Sequence, residues 1–323
     1  MQVVERRKLM LFSGSANQPL AEEVAKLLDV ELGGLERSVF ANGEIYVRTT
    51  ESVRGADCFV LQSHTEPLNF NIMEQLVTID ALRRASARAI TAVVPFYGYS
   101  RQDKKGRPRE PITARLMADL LHTAGADRIV SVDLHTGQLQ GFSNRPFDHL
   151  TALPILVDYL SDRLEGPTTV VSPDAGGVKR AERFARHLGA EVAFVYKRRS
   201  ADVHNESTAL AVVGEVDGRN VVILDDMIDT AGTAANAATM LREKGATSVR
   251  VVATHGIFSP PAAERLGAAP LEEIVVTNTL PIRGDIAALD NLTVISIAPI
   301  VAEALEAIFQ ETSVSQIFLG ENI

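Results

Sequence analysis

The sequence predicts an α/β protein made of two domains, each with a mostly parallel sheet flanked by helices. Short β-branched runs alternate with alanine-rich stretches of ten or more residues, which is the pattern of βαβ units. The length of 323 residues suffices for about two domains. Apolar residues make up 46% of the chain, which is enough for a packed core in each domain.

The expected strands are short apolar runs that end in polar or small residues. They cover residues 8–12, 58–62, 89–94, 128–132, 169–172, 191–195, 220–224, 248–252 and 273–277. Helices are expected at residues 19–28, 71–85, 112–124, 177–188, 233–244 and 300–310. The stretch 197–207 is too long and too polar for a tight turn, so we expect a mobile loop there.

A weak internal repeat indicates that the chain contains two related halves. "GADRIVSVDLHTG" begins at Gly125 and "GATSVRVVATHG" begins at Gly245, each after an alanine-rich helix. Chance similarity between two α/β segments is the alternative. We place the join between residues 148 and 154, which predicts an N-terminal domain of residues 1–150 and a C-terminal domain of residues 151–323.

Composition excludes several classes of protein. The net charge of −9 argues against a general nucleic-acid binder but leaves room for a local basic site for an anionic small molecule. The lone Cys58 rules out an intrachain disulfide and fits a reducing compartment. No apolar run approaches the roughly 20 residues of a membrane-spanning helix. We therefore expect a cytoplasmic protein with neither nucleic acid nor membrane as a partner.

The segment "VVILDDMIDTAGTAA" at residues 221–235 predicts an anion site. A buried strand is expected to end just before Asp225, Gly232 permits an unusual backbone conformation, and a helix is expected from about Thr233. The free N–H groups and positive dipole end of such a helix attract anions. A capped helix start without a ligand is the alternative. The segment also carries three acids and two threonines: Asp225, Asp226, Asp229, Thr230 and Thr233.

The motif "ILDDMIDTAGT" resembles the ribose-5-phosphate loop of phosphoribosyltransferases and their relatives. This resemblance implies that the turn Thr230-Ala231-Gly232-Thr233 holds the 5-phosphate. It also implies that Asp225, Asp226 and Asp229 bind the ribose hydroxyls, directly or through Mg²⁺. The loop alone does not define the reaction.

A second motif, "VDLHTGQLQGFSNRPFDHL", resembles the metal-binding signature of ribose-phosphate pyrophosphokinases. Further motifs follow that family's order and approximate spacing: "FANGE" at 40–44, "PFYGYSRQDKK" at 95–105, "SPDAGGVKRA" at 172–181 and "YKRR" at 196–199. The resemblance covers essentially the whole chain. It implies two tandem phosphoribosyltransferase-type domains and an enzyme that transfers the diphosphoryl group of ATP to the 1-hydroxyl of ribose 5-phosphate, giving PRPP and AMP.

The resemblance also implies roles for individual residues. It assigns ATP binding to Phe40, Asn42, Gly43, Glu44, Arg101, Gln102 and Asp103. It assigns Mg²⁺ to His135 and Asp174, although a histidine is by itself an unusual Mg²⁺ ligand. Lys197 and Arg199 become the catalytic cations, and Arg199 also joins the ribose-5-phosphate site. Without the family, "RQDKK" reads equally well as a solvated charged loop.

Some features depart from the family pattern, and two other functions remain open. Ser143 stands where a phenylalanine is usual, Asn42 stands where an aspartate is common, and residues 197–207 lack the usual prolines. The family implies a homohexamer, often regulated by phosphate and ADP. A phosphoribosyltransferase without an ATP site is one alternative, and a non-catalytic regulatory homologue is the other.

Overall fold

The computed structural model describes residues 7–198, 209–282 and 284–318. The chain forms two compact units, and its C-terminal helix belongs to the first unit, whereas the sequence-based division placed that helix in the second domain. The first unit comprises Met1–Thr151, Thr279–Pro281 and Ser296–Ile323, and the second comprises Ala152–Asn278 and Ile282–Ile295.

The first unit is built on a five-stranded parallel sheet with the strand order β1-β4-β5-β6-β7. Its strands are β1 (Leu9–Ser13), β2 (Leu35–Val39), β3 (Ile45–Thr49), β4 (Asp57–Leu61), β5 (Ala89–Val94), β6 (Arg128–Val132) and β7 (Phe147–Leu150). The strands β2 and β3 form a separate antiparallel hairpin. The helices before the second unit are α1 (Gln18–Leu27), α2 (Leu68–Arg84) and α3 (Thr113–Ala124).

The second unit contains a seven-stranded sheet with the order β10-β9-β8-β11-β12-β13-β14, parallel except for the antiparallel pair β10/β9. Its strands are β8 (Thr168–Ser172), β9 (Glu191–Arg198), β10 (Ala209–Val213), β11 (Asn220–Ile228), β12 (Ser248–Gly256), β13 (Glu273–Thr277) and β14 (Leu292–Ile295). The remaining helices are α4 (Leu153–Ser161), α5 (Val178–Leu188), α6 (Gly232–Glu243), α7 (Ala262–Ala268) and, in the first unit, α8 (Ala298–Phe309).

The predicted fold class is confirmed, and each predicted strand and helix is present. The central strands are apolar along their length because helices cover parallel sheets on both faces. Phe12 on β1 and Phe59 on β4 are buried in the first unit, and Val221 and Ile223 on β11 are buried in the second. Within the described part of the chain, none of the helices combines the length and the apolar character needed to cross a membrane.

Three predicted strand ends, those of β9, β11 and β12, are wrong because strand pairing continues beyond the apolar runs. The strand β12 was expected to end at Val252, but it continues to Gly256. The strand β11 was expected to end at Leu224, but it continues to Ile228 because its partner β12 runs beside it to Gly256. Asp225 and Asp226 are therefore strand residues. The strand β9 was expected to end at Val195, yet its antiparallel pairing with β10 extends it through residue 198. The rest of the predicted mobile loop, residues 199–207, lies outside the described residues.

The internal repeat corresponds to two equivalent strand pairs. Gly125 ends α3 with φ +130° and precedes β6, and Gly245 follows α6 with φ +94° and precedes β12. The alanine after each glycine donates its N–H back to the helix, over 3.0 Å in the first unit and 3.1 Å in the second. The strand within each repeat segment, β6 or β12, pairs with a strand that comes earlier in the chain: β6 pairs with β5, and β12 pairs with β11.

Candidate functional site

The predicted anion-binding turn, residues 230–233, follows the carboxyl end of β11 and includes the start of α6; we call it the phosphate-type loop. Ala231 is buried at 5% exposure and takes the left-handed conformation, with φ +59°, immediately before the helix. Thr230 and Thr233 are exposed on either side of it. Because the first N–H groups of a helix have no partner within the helix, this turn presents backbone donors beside two exposed hydroxyls. The geometry suits an anion.

The two strand acids next to this loop are held by an arginine from another helix. Arg180 on α5 places Nη1 3.2 Å from Asp226 Oδ1 and 3.7 Å from Asp225 Oδ1. Asp226 is 5% exposed, and its N–H donates to Asp225 Oδ1 over 2.9 Å. Burial, followed by the neighbouring Asp226, raises the pKa of Asp225 to about 8, although Arg180 opposes the shift. Desolvation therefore outweighs the single cation.

This shift predicts that Asp225→Asn stabilises the ligand-free protein, and more so at higher pH. Between pH 4 and 8 the unfolded chain ionises this carboxyl, but the folded chain keeps it protonated, so wild-type stability falls as pH rises. Asparagine does not titrate, and its Oδ1 can still accept the Asp226 N–H. The difference in Tm between variant and wild type in EDTA should therefore grow from pH 5 to pH 8. A constant difference would contradict the shift.

Asp174 lies at the same edge of the second sheet as these acids. The strands β8 and β11 pair in parallel, so their carboxyl ends point to one edge. The exposed Asp174 follows β8, and its Oδ1 accepts the N–H groups of Gly176 and Gly177 over 2.8 and 3.0 Å. Its carboxylate thus caps the turn that leads into α5, the helix carrying Arg180.

Sequence reasoning missed two arginines of this edge. Arg180 lies inside the quoted motif "SPDAGGVKRA", but nothing local indicates its partner Asp226. Arg265 on α7 donates from Nη1 to the Thr230 carbonyl over 2.9 Å. The same Nη1 would lie 3.1 Å from a Cβ added at Gly232, so the guanidinium touches the phosphate-type loop directly. No local signal in the sequence identifies Arg265.

In the first unit, residues 40–44 form the tight turn of the β2–β3 hairpin. The Phe40 N–H donates to the Glu44 carbonyl, the Gly43 N–H donates back to the Phe40 carbonyl, and Gly43 has φ +91°. Asn42 Oδ1 accepts the Glu44 N–H over 3.2 Å. Phe40 is 54% exposed and makes an edge contact with Tyr46, with ring centroids 6.2 Å apart. The turn therefore presents an aromatic face to solvent.

The loops after β5 and β6 meet near His135. Arg101 and Gln102 are exposed, and Thr136 Oγ1 donates to Asp103 Oδ2 over 3.0 Å. The structure thus links Asp103 to the residue after the half-buried His135.

The unusual Ser143 makes a polar turn rather than an apolar contact. Its Oγ lies 2.7 Å from His122 Nε2 and donates to the Arg145 carbonyl over 2.6 Å.

The predicted site residues therefore fall into two groups, one in each unit. The first unit holds the seven expected ATP residues and His135; the second holds Asp174, the acids and the phosphate-type loop. The backbone of Lys197 lies one residue before the end of β9, and Arg199 lies outside the described residues. Across residues 7–198, 209–282 and 284–318, no three His, Cys, Asp or Glu side chains converge as a preformed metal site.

Comparison with known proteins relates the whole chain to one family. Residues 9–125 match the N-terminal domain of ribose phosphate pyrophosphokinase, and residues 197–319 match the phosphoribosyl synthetase-associated domain. A ribose-phosphate pyrophosphokinase of Corynebacterium efficiens is 57% identical, covering 98% of this chain and 97% of its own. Its counterpart from Streptomyces coelicolor is 56% identical over 97% of this chain and 96% of its own.

A solved structure agrees with the sequence comparison. The crystal structure of phosphoribosylpyrophosphate synthetase from Mycobacterium smegmatis superposes with a TM-score of 0.89 at 53% identity, covering 94% of this chain and 100% of that one. Identity above half over nearly the full length, with the same fold, leaves no ambiguity about descent. The chain belongs to the ribose-phosphate pyrophosphokinase family.

Proposed function

We propose that the chain transfers the diphosphoryl group of ATP to the 1-hydroxyl of ribose 5-phosphate, with PRPP and AMP as products. Family membership supports this ribose-phosphate diphosphokinase reaction. The acceptor assignment rests chiefly on the loop after β11, where a helix N-terminus and two exposed threonines adjoin the buried Asp226 and the half-buried Asp225 and Asp229. A sugar phosphate fits this arrangement because it carries an anion at one end and hydroxyl groups at the other.

On the acceptor side, the turn of residues 230–233 binds the 5-phosphate through backbone N–H groups and hydroxyls. The acids Asp225, Asp226 and Asp229 accept hydrogen bonds from the ribose hydroxyls. Arg180 supports this arrangement because it holds Asp226 in place and offsets part of its charge. Arg199, the last residue of "YKRR", completes the acceptor site on the strength of the family resemblance alone.

On the donor side, the hairpin turn and the loop after β5 bind ATP. Phe40 packs against adenine, and Asn42, Gly43 and Glu44 contact its edge; the exposure of the Phe40 ring supports this role. Arg101, Gln102 and Asp103 contact the remainder of the nucleotide, and an arginine can fork onto phosphate oxygens.

Mg²⁺ fits this chemistry as an ion brought largely by the substrate phosphates. The described residues contain no preformed ligand cluster, and one oxygen of Asp174 already caps backbone N–H groups. Mg²⁺ keeps several waters and needs only one or two protein ligands beside phosphates. We assign the role of protein ligands to His135 and Asp174. The bound ion would neutralise the negative charge of the ATP phosphates.

Lys197 and Arg199 stabilise the charge that develops on the transferred diphosphoryl group and on AMP as it leaves. Phosphoryl-type transfer needs positioning and charge neutralisation more than covalent chemistry. The end of β9 brings the backbone of Lys197 to the carboxyl edge of the second sheet, beside the edge strand β10.

A direct assay tests the proposed reaction. Purified protein with ATP, ribose 5-phosphate and Mg²⁺ should release AMP, and PRPP should accumulate in equal amount. A phosphoribosyltransferase would instead consume PRPP and ignore ATP, and a non-catalytic homologue would do neither. Absence of AMP release under these conditions would overturn the proposal.

Phe40→Ala should raise KM for ATP about tenfold and leave KM for ribose 5-phosphate unchanged. Loss of an aromatic side chain that stacks on a base costs roughly 1–3 kcal/mol of binding. Tm should not change, because the side chain is 54% exposed. The control is Val39→Ala, which removes the neighbouring side chain, also 53% exposed, without removing an aromatic ring. Equal KM values for ATP in both variants would remove Phe40 from the nucleotide site.

Assembly and location are proposed from the family resemblance. We propose a cytoplasmic homohexamer whose activity responds to phosphate and ADP. Light scattering coupled to size-exclusion chromatography measures the assembly. AMP formation against ribose 5-phosphate, with and without phosphate and ADP, measures the regulation.

A further inference from the structure

A fully buried histidine joins two loops at the carboxyl edge of the first sheet. His64 follows β4 and is 1% exposed. Its Nδ1 accepts the Gly98 N–H over 3.1 Å, and its Nε2 lies 2.9 Å from Gln75 Oε1 on α2. Gln75 Nε2 donates to the Val60 carbonyl over 3.1 Å, which fixes the amide so that its oxygen faces the ring.

These contacts define one protonation state of the ring. A backbone N–H can only donate, so His64 Nδ1 must be unprotonated. The proton therefore lies on Nε2, where it is donated to Gln75 Oε1. Burial lowers the pKa of His64 to about 4, so the neutral form holds through the neutral pH range.

The bond to Gly98 holds the base of the loop that carries Arg101. A Cβ added at Gly98 would lie 2.9 Å from His64 Cβ, so the close approach depends on glycine. A second backbone contact, from the His64 N–H to the Phe96 carbonyl, reinforces it over 3.2 Å. Beyond Gly98 the Gln102 N–H donates to the Tyr99 carbonyl, so the restraint reaches the Arg101-Gln102 pair within one turn.

We propose that His64 is a positioning residue for the nucleotide: its bond from Gly98 fixes the 95–103 loop and thereby sets KM for ATP. The inference rests on the proposed assignment of Arg101, Gln102 and Asp103 to ATP. The imidazole itself is buried beneath the loop and acts through it, since its two nitrogens are already occupied by Gly98 and Gln75.

Two near-isosteric substitutions distinguish the hydrogen bond at Nδ1 of His64 from the one at Nε2. In His64→Asn the side-chain oxygen takes the place of Nδ1 and still accepts the Gly98 N–H. In His64→Gln the amide reaches the Nε2 position but leaves the Gly98 N–H without an acceptor. We expect His64→Gln to raise KM for ATP about tenfold and His64→Asn to raise it by less than about threefold, because an unpaired buried donor is costly. KM for ribose 5-phosphate should stay unchanged in both variants.

Hydrogen exchange of the ATP-free protein reports the loop independently of activity. The Gly98 amide should exchange about tenfold faster in His64→Gln and at the wild-type rate in His64→Asn. Should His64→Gln not fold, Gln75→Met is the second variant, because it keeps the ring but removes its Nε2 partner, and it should raise KM for ATP about threefold.

Several results would overturn the inference. The first is a Gly98 amide that exchanges at the wild-type rate in folded His64→Gln. The second is an unchanged KM for ATP in His64→Gln although the Gly98 amide exchanges faster. The third is an equal rise in KM for ATP and for ribose 5-phosphate in His64→Gln. Failure of the proposed function is distinguishable, because it would show as absence of AMP release in the wild-type enzyme.

Discussion

Lys197→Ala is expected to reduce kcat by about 10²–10³-fold while leaving Kd for ATP within about threefold of wild type. We propose that the Lys197 ammonium stabilises negative charge that develops only while the diphosphoryl group leaves AMP. Loss of the ammonium should therefore lower the turnover rate and not the binding of ATP in the ground state. Its backbone lies on β9, paired with Leu210 of β10, so a single side-chain truncation should not disturb the sheet. Steady-state AMP release and equilibrium titration with ATP measure the two quantities.

The matched control is Lys244→Ala, which removes an exposed lysine after α6 in the same unit. The kcat of Lys244→Ala should equal that of wild type. This result would show that the effect of Lys197→Ala does not come from the loss of one positive charge in general. Lys197→Arg should recover part of the turnover, because a guanidinium supplies the charge with different geometry. A kcat for Lys197→Ala within tenfold of wild type would contradict the catalytic role, and so would a loss confined to KM for ATP.

The sequence predicts the central strands well because each is buried on both faces and so reads as a continuous apolar run. Strand β4, with the sequence DCFVL, is buried throughout. The hairpin strands β2 and β3 lack such a run, since β2 alternates between exposed and half-buried residues. Their pairing with each other decides their structure. The extension of β11 past Leu224 likewise depends on β12, a partner about thirty residues away.

The candidate site divides in the same way between local and distant contacts. The turn after β11 is a local motif, and the position of its glycine and threonines is readable from neighbouring residues alone. The partners of its acids are not, because Arg180 reaches Asp226 across the sheet edge from another helix. The His64–Gly98 bond spans 34 positions and joins residues that carry no motif in common. Such contacts arise from strand order, which single-sequence patterns do not specify.

Arg180→Ala is expected to lower the free energy of unfolding by about 1–3 kcal/mol and to raise KM for ribose 5-phosphate about tenfold. The substitution leaves Asp226, which is 5% exposed, without its 3.2 Å ion pair. The effect falls below that of a fully buried pair because the Arg180 side chain is 35% exposed and water can partly replace it. Urea unfolding of the ligand-free protein and substrate titration measure the two effects.

Arg186→Ala is the control, because Arg186 is an exposed arginine in the last turn of the same helix. A second test uses the neighbouring acid. Arg180 opposes the rise in the pKa of Asp225, so its removal raises that pKa further. Above about pH 8, where Asp225 ionises in the folded wild type, Asp225→Asn should therefore recover part of the lost stability in the double variant. Full additivity of the two substitutions would mean that Arg180 acts on Asp226 alone. Equal stabilities for Arg180→Ala and Arg186→Ala would show that the arginine has no role in holding the acids, and the acceptor site would then depend on substrate and metal to order its carboxylates.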